Sequence, residues 1–199
     1  MDNGLFPKYA NASLKNLHKK TPEDLRALLE KIVKTSKRTF FKEANNLYLY
    51  GIGRVGKSYV LHAIANHIIK SYEEKSVYIV TASDLLTYFI ERTWNPEYNY
   101  SWVDVLLGKR VLIVDGLGKE YRGSQSGFFE IKFEAFIRER INNSRITYIE
   151  SKYDIGDLEL EYGKGFTGII KGEFVVFDVD FNVDMSKVIK DEKLRIVKC

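Results

Sequence analysis

Eight consecutive residues carry the plainest chemistry in the sequence: Gly51-Ile52-Gly53-Arg54-Val55-Gly56-Lys57-Ser58. They fit G-x-x-x-x-G-K-[ST], the phosphate-binding P-loop, and follow a strand-like run, Leu47-Tyr48-Leu49-Tyr50. Glycines let the backbone curl so that successive N–H groups converge on phosphate oxygens. The helix that begins near Gly56 adds the positive end of its dipole. Lys57 can then reach the β and γ phosphates, and the Ser58 hydroxyl can ligate Mg²⁺. Gly51 to Ser58, with the adjoining Tyr59, are therefore the expected nucleotide-binding residues. A chance glycine-rich turn would explain the glycines but not the Lys-Ser pair between the right flanks.

A P-loop alone does not separate triphosphatases from nucleotide kinases. Added weight comes from Val111-Leu112-Ile113-Val114-Asp115, an apolar strand that ends in a carboxylate. In P-loop folds such an Asp lies beside the loop and serves Mg²⁺, which makes Ser58 and Asp115 the expected metal pair. A purely structural Asp115 would cap the next turn.

The elements needed to position these groups can be read from hydrophobic periodicity. Strands are expected over 46–50, 77–80, 111–115, 145–149 and 173–179, and helices from residue 21 onward and over 59–69, 84–92, 102–107 and 128–141. Thr21-Pro22-Glu23-Asp24 reads as a helix start capped by Thr21, and Ser83 as the cap of the helix over 84–92. Residues 151–165 read as a connection with a short helix at most. The alternation implies an α/β fold, a parallel sheet with helices on both faces and no clear C-terminal lid domain. The expected organisation is a basic N-terminal arm and helix over 1–42, a nucleotide-binding domain over 43–180 and a tail over 181–199.

Composition bounds the function. With 199 residues and 45% apolar content the chain suits one core-forming domain. It contains no apolar run long enough for a transmembrane helix, and the first twenty residues lack the apolar core of a secretory signal. Cys199 is the single cysteine, so a disulfide framework and a cysteine metal cluster are excluded, and a reducing cytoplasm is the expected location. Residues 1–42 hold ten Lys and Arg against four acids, whereas the remainder holds 21 against 23. The basic excess at Lys31, Lys34, Lys37 and Arg38 could meet single-stranded DNA or simply form a solvated helix face. His62 and His67 lack a third ligand at metal spacing and read as ordinary helix residues. Asp178 to Asp184 imitates the start of a calcium loop but has Val183 where glycine is required.

The runs Asn46 to Gly51, Lys57 to Ala65 and Val111-Leu112-Ile113-Val114-Asp115-Gly116-Leu117-Gly118-Lys119-Glu120 resemble the DnaC/IstB-type AAA+ ATPases. That family comprises bacterial and phage replicative helicase loaders and transposase helper ATPases. The resemblance spans roughly residues 6–157 and implies ATP on Gly51–Ser58, Mg²⁺ at Asp115, and a sensor position near the end of the strand beginning at Arg145. It implies catalytic roles for Lys57, Asp115, Glu120 and Lys152. The chain departs from the pattern at Gly116, where the family usually carries an acid, and at Lys152, where it often carries Asn. Residues 162–171, expected to supply an arginine finger, contain no arginine; Arg138, Arg140 and Arg145 are the substitutes in reach of the sequence. Such a finger is worth about 10³ to 10⁵ in turnover. ATP binding with slow hydrolysis is therefore expected.

Two principal functions remain open at this stage. One is a helicase-loader-like ATPase of DNA replication, partnered by a replicative helicase and by DNA. The other is a catalytically impaired adaptor or inhibitor that docks a helicase or a host loader. A transposase helper is a third option, and a homo-oligomer is compatible with any of them.

Overall fold

The computed structural model describes residues 3–17, 21–53, 56–72, 76–94, 101–120 and 127–179. Strands β1 (Asn46–Tyr50), β2 (Val77–Thr81), β3 (Val111–Leu117), β4 (Ile146–Ser151) and β5 (Phe174–Asp178) form one sheet in the order β2-β3-β4-β1-β5. Every pairing is parallel. Parallel strands covered on both faces read as unbroken apolar runs, and β3 and β4 are buried from end to end.

Helices α1 (Glu23–Lys34), α2 (Lys37–Glu43) and α3 (Lys57–Ser71) cover one face, where Leu25, Leu29, Phe40, Leu61 and Ile64 meet Leu49, Ile113 and Tyr148. Helices α4 (Ala82–Trp94), α5 (Trp102–Gly108), α6 (Phe128–Asn142) and α7 (Ile155–Glu173) cover the other, where Phe89, Leu106, Phe133 and Phe166 meet Tyr48, Leu112 and Val114. Alternation along each strand divides its side chains between the two layers. The expected α/β sheet with helices on both faces is thus the observed architecture.

Residues 3–17 run across the α3 side of the molecule. The Ile79 N–H of edge strand β2 donates to the Asn3 carbonyl at 2.9 Å. Asn66 on α3 donates its side-chain amide to the carbonyls of Tyr9, Ala10 and Ala12. Pairing an exposed strand edge in this way removes a template for aggregation.

Several local expectations change. Pro22, not Thr21, occupies the cap position of α1 and makes no side-chain cap bond. The single basic helix becomes two: the chain turns extended at Thr35, and Ser36 caps α2 by accepting the Thr39 N–H at 3.3 Å. The expected domain boundary at residue 42 therefore falls inside α2, whose Phe40 lies in the same core as β1. At α4 the capping hydroxyl is Thr81, which accepts the Asp84 N–H at 3.0 Å, rather than Ser83. The connection expected over 151–165 is the first half of α7, which breaks at Gly163 (φ 79°). Five glycines argue against helix there, but Leu158, Tyr162, Phe166, Ile169 and Ile170 bury one face, and packing outweighs propensity.

Candidate nucleotide-binding site

The carboxyl ends of β1, β3 and β4 converge where an open parallel sheet binds ligands. After β1 the chain turns at Gly51, whose φ of 141° suits glycine and whose added Cβ would stand 2.9 Å from the Val179 carbonyl. Gly56 ends the loop in the left-handed conformation, and α3 starts at Lys57. Ile52 is exposed, and Arg54 and Val55 lie outside the described residues.

Lys57 is only 4% exposed. Its ammonium donates to the carbonyls of Gly51 (2.7 Å) and Ile52 (2.8 Å) and pairs with Glu150 Oε1 at 3.2 Å. An ammonium has three N–H donors, and all three are engaged. Burial lowers the Lys57 pKa, and the Glu150 charge works against that shift. At the next residue, the Ser58 hydroxyl donates to Asp115 Oδ1 at 2.8 Å. The two expected metal-binding side chains are therefore in direct contact. A hydroxyl and one carboxylate are hard oxygen donors, too few for a protein-only cage; Mg²⁺ suits such a pair, since phosphates and waters usually complete its shell. No group of three or more His, Cys, Asp or Glu side chains able to hold a metal occurs among the described residues.

The other predicted residues sit elsewhere. Tyr59 turns toward the N-terminal segment, where its hydroxyl accepts the Ser13 N–H at 3.3 Å. Glu120 is buried; Oε2 accepts the Gly118 N–H at 2.7 Å within the turn after β3, and Oε1 accepts the Tyr162 hydroxyl and so ties that turn to α7. Lys152 follows β4 as an exposed side chain with Nζ 4.7 Å from the Tyr153 ring centre. The residue of β4 that does reach the P-loop is Glu150, which the sequence expectations omitted. Its Oε2 also pairs with Lys119 Nζ at 3.3 Å. The apolar pattern ends the strand at Ile149, whereas β4 continues through Ser151.

The candidate arginine fingers separate as well. Arg140 is fully buried and bonded to Leu106, Lys109, Ile146 and Thr147, which ends its candidacy. Arg138 pairs with Glu134 one turn away at 2.9 Å. Arg145 precedes β4, at the edge of the sheet opposite the P-loop. At that opposite edge Lys37, Arg38, Lys42 and Arg110 line a cleft of about 700 Å³ with Phe41 and Ser144. Lys31 and Lys34 belong to α1, where Lys34 pairs with Glu30. Residues 121–126 and 180–199 lie outside the described residues, and with them most of the calcium-like run that ends at Asp184 and the expected tail.

A 2-3-4-1-5 parallel sheet with a P-loop after β1 and an acid near the carboxyl end of β3 defines an AAA+ P-loop ATPase module. The chain belongs to the family described as the bacterial DnaA ATPase domain, whose model matches residues 27–140. No curated protein matches it in sequence. Among solved structures it is similar to a DnaC helicase loader, with 23% identity, a TM-score of 0.68, 88% of this chain and 100% of that one covered. A DnaI structure aligns at 20% identity and a TM-score of 0.66, covering 87% and 90%. AMPPCP-bound DnaA from Aquifex aeolicus aligns at 19% identity and 0.66, covering 94% of this chain and 55% of that one. The resemblance to DnaC-type AAA+ ATPases thus extends to the fold of almost the whole chain. No helix among the described residues is long and apolar enough to cross a membrane.

Proposed function

We propose that the protein is an ATP-binding, helicase-loader-like factor of DNA replication that hydrolyses ATP slowly. The observation that carries the proposal is the contact of Ser58 with Asp115 beneath a P-loop whose Lys57 is buried, with Gly116 following the acid. Lys57 and the N terminus of α3 would hold the phosphates. Ser58 and Asp115 would hold Mg²⁺, which supplies charge neutralisation on the phosphate oxygens. Slow turnover is supported by the burial of Arg140 and by the hold of a buried carboxylate, Glu150, on the P-loop lysine. The loader role is supported by the match in fold to DnaC and DnaI structures. A replicative helicase or another loader is the proposed protein partner, and the Lys37, Arg38, Lys42 and Arg110 cleft suits the phosphates of single-stranded DNA better than Lys31 and Lys34 do.

The test is titration of a fluorescent ATP analogue, followed by turnover with and without single-stranded DNA. Wild-type protein should bind and turn over slowly; Lys57→Ala should weaken binding by about 100-fold or more, since a charge-assisted phosphate contact is lost. Equal affinity in the two proteins would sink the reading. Binding without turnover, with or without DNA, favours the alternative of an adaptor or inhibitor, which the full engagement of Lys57 donors also suits.

A further inference from the structure

The family acid missing at Gly116 has a physical reason for being missing. Gly116 adopts φ 83°, which strains any other residue, and an added Cβ would stand 3.0 Å from Lys119 Cδ. The same bulge does something else. Val114 pairs with Ile149 and Leu117 with Ser151, so Asp115 and Gly116 together face the one intervening residue of β4, Glu150. On its other side Glu150 pairs with Leu49, one residue short of the end of β1. Its carboxylate is 2% exposed and reaches Lys57 Nζ with one oxygen and Lys119 Nζ with the other. A buried carboxylate is costly unless it is fully paired, and here it stands where the phosphate-binding lysine ends.

We propose that Glu150 is the catalytic carboxylate of this ATPase, a general base supplied by β4 in place of the residue after Asp115. This rests on the P-loop binding ATP. Hydrolysis forms a bond from the water oxygen to the γ-phosphorus and breaks that phosphorus's bond to the bridging oxygen, ADP leaving with the electron pair. Glu150 orients the water and relays one of its protons to the released phosphate. The same carboxylate restrains the reaction: in the arrangement described it is held by two ammonium groups, and Lys57 must let it go to take up phosphate. Glu150 therefore opposes ATP binding and promotes hydrolysis, a pairing of effects that a merely structural buried acid would not have.

Glu150→Gln keeps the shape and removes the charge. In the full chain it should bind the fluorescent ATP analogue about three- to ten-fold more tightly, because Lys57 loses a competitor and the γ-phosphate loses a repelling charge. Its turnover should fall by about 100-fold, the scale of general acid–base catalysis. Glu150→Asp, which keeps the charge on a shorter arm, should retain near wild-type affinity with intermediate turnover, and serves if Glu150→Gln does not fold. Unchanged or weaker ATP binding together with wild-type turnover in these variants overturns the assignment. So does a wild-type protein that binds ATP but turns over no faster than Glu150→Gln; that outcome leaves the binding site standing. A wild-type protein that binds no ATP overturns the nucleotide site itself and Glu150's role with it.

Discussion

Arg140 and Lys57 are both cations withdrawn from water, and the protein treats them in opposite ways. Arg140 is fully buried between α6 and the amino edge of the sheet, where its guanidinium donates to the carbonyls of Leu106 (2.6 Å), Lys109 (3.0 Å) and Ile146 (2.6 Å) and to the Thr147 hydroxyl (2.9 Å). These partners are neutral and belong to α5, to the residue that follows it and to β4. Lys57, at the carboxyl edge, is held by two loop carbonyls and a carboxylate that has a second suitor in Lys119. The fork of five N–H groups on Arg140 fits a fixed set of acceptors, whereas a lysine point charge can change partners by rotation. One cation is built to stay and the other to move. Burial and charge alone do not distinguish a structural ion from a working one; the exchangeability of the partners does.

The largest effect should come from breaking the fixed side. Burial pulls the Arg140 pKa down to about 9, with the Arg145 charge adding to the shift, yet the guanidinium stays charged at neutral pH. Arg140→Met keeps much of the volume and strands two buried carbonyls, a partly buried one and a hydroxyl. It should cost about 3–5 kcal/mol in urea unfolding, and Arg140→Lys should recover little, since an ammonium cannot span the same acceptors. ATP affinity of the folded fraction should be unchanged. A variant that folds well but no longer binds ATP would erase the distinction between the two edges.

His62 sharpens the comparison from the other side, because among the described residues nothing hydrogen-bonds it. It is fully buried on α3 between the rings of Tyr9 (4.5 Å) and Phe6 (4.9 Å), and neither ring nitrogen has a hydrogen-bond partner. Burial, helped by the charge of Lys8, lowers its pKa from 6.5 to about 4. The unfolded chain therefore takes up the proton first, so stability is intact above pH 6.5 and drains away as the pH falls toward 4. Between pH 7 and pH 5 the loss from this group should be about 2 kcal/mol. His62→Phe should lose that share of the pH dependence while wild type keeps it, as read from unfolding curves at the two pH values. Identical pH slopes would mean that the N-terminal segment lifts from α3 without cost.

What the sequence disclosed follows the same division between fixed and exchangeable features. The P-loop motif, the apolar run into Asp115 and the succession of strands and helices along the chain were legible because each depends on local pattern: glycine spacing, an apolar run, a period of 3.6 or 2. Glu150 was not, because its meaning comes from a β-bulge in the neighbouring strand and from a lysine 93 positions away in the chain, and neither is a local signal. The roles of Glu120 and Lys152 are implied by the family resemblance alone; in the structure Glu120 bonds Gly118 and Tyr162, and Lys152 lies against the Tyr153 ring, contacts that no local pattern announces. Arg140 looked like one of three equivalent arginines, since nothing in sequence separates a surface cation from one that closes a set of carbonyls.

The smallest effect concerns a bond at the solvent boundary, where the same kind of contact is worth least. Thr81 ends β2 in register with Asp115, and its hydroxyl both accepts the Asp84 N–H (3.0 Å) and donates to Asp84 Oδ2 (2.7 Å). Its side chain is half-buried and Asp84 is exposed, so water can replace much of what Thr81→Ala removes. The expected cost is about 1 kcal/mol, the usual worth of a helix cap. Ser83, the cap expected from sequence, is exposed, and Ser83→Ala should stay within about 0.5 kcal/mol of wild type. Denaturant midpoints for the two variants decide between them, and a larger loss for Ser83→Ala would move the cap back. Neither variant should alter ATP affinity, because the hydroxyl of Thr81 is committed to the start of α4 while Asp115 bonds Ser58. If Thr81→Ala did weaken ATP binding, the start of α4 would have to be counted with the exchangeable edge, and the contrast with Arg140 would widen from a lysine to the whole rim of the sheet.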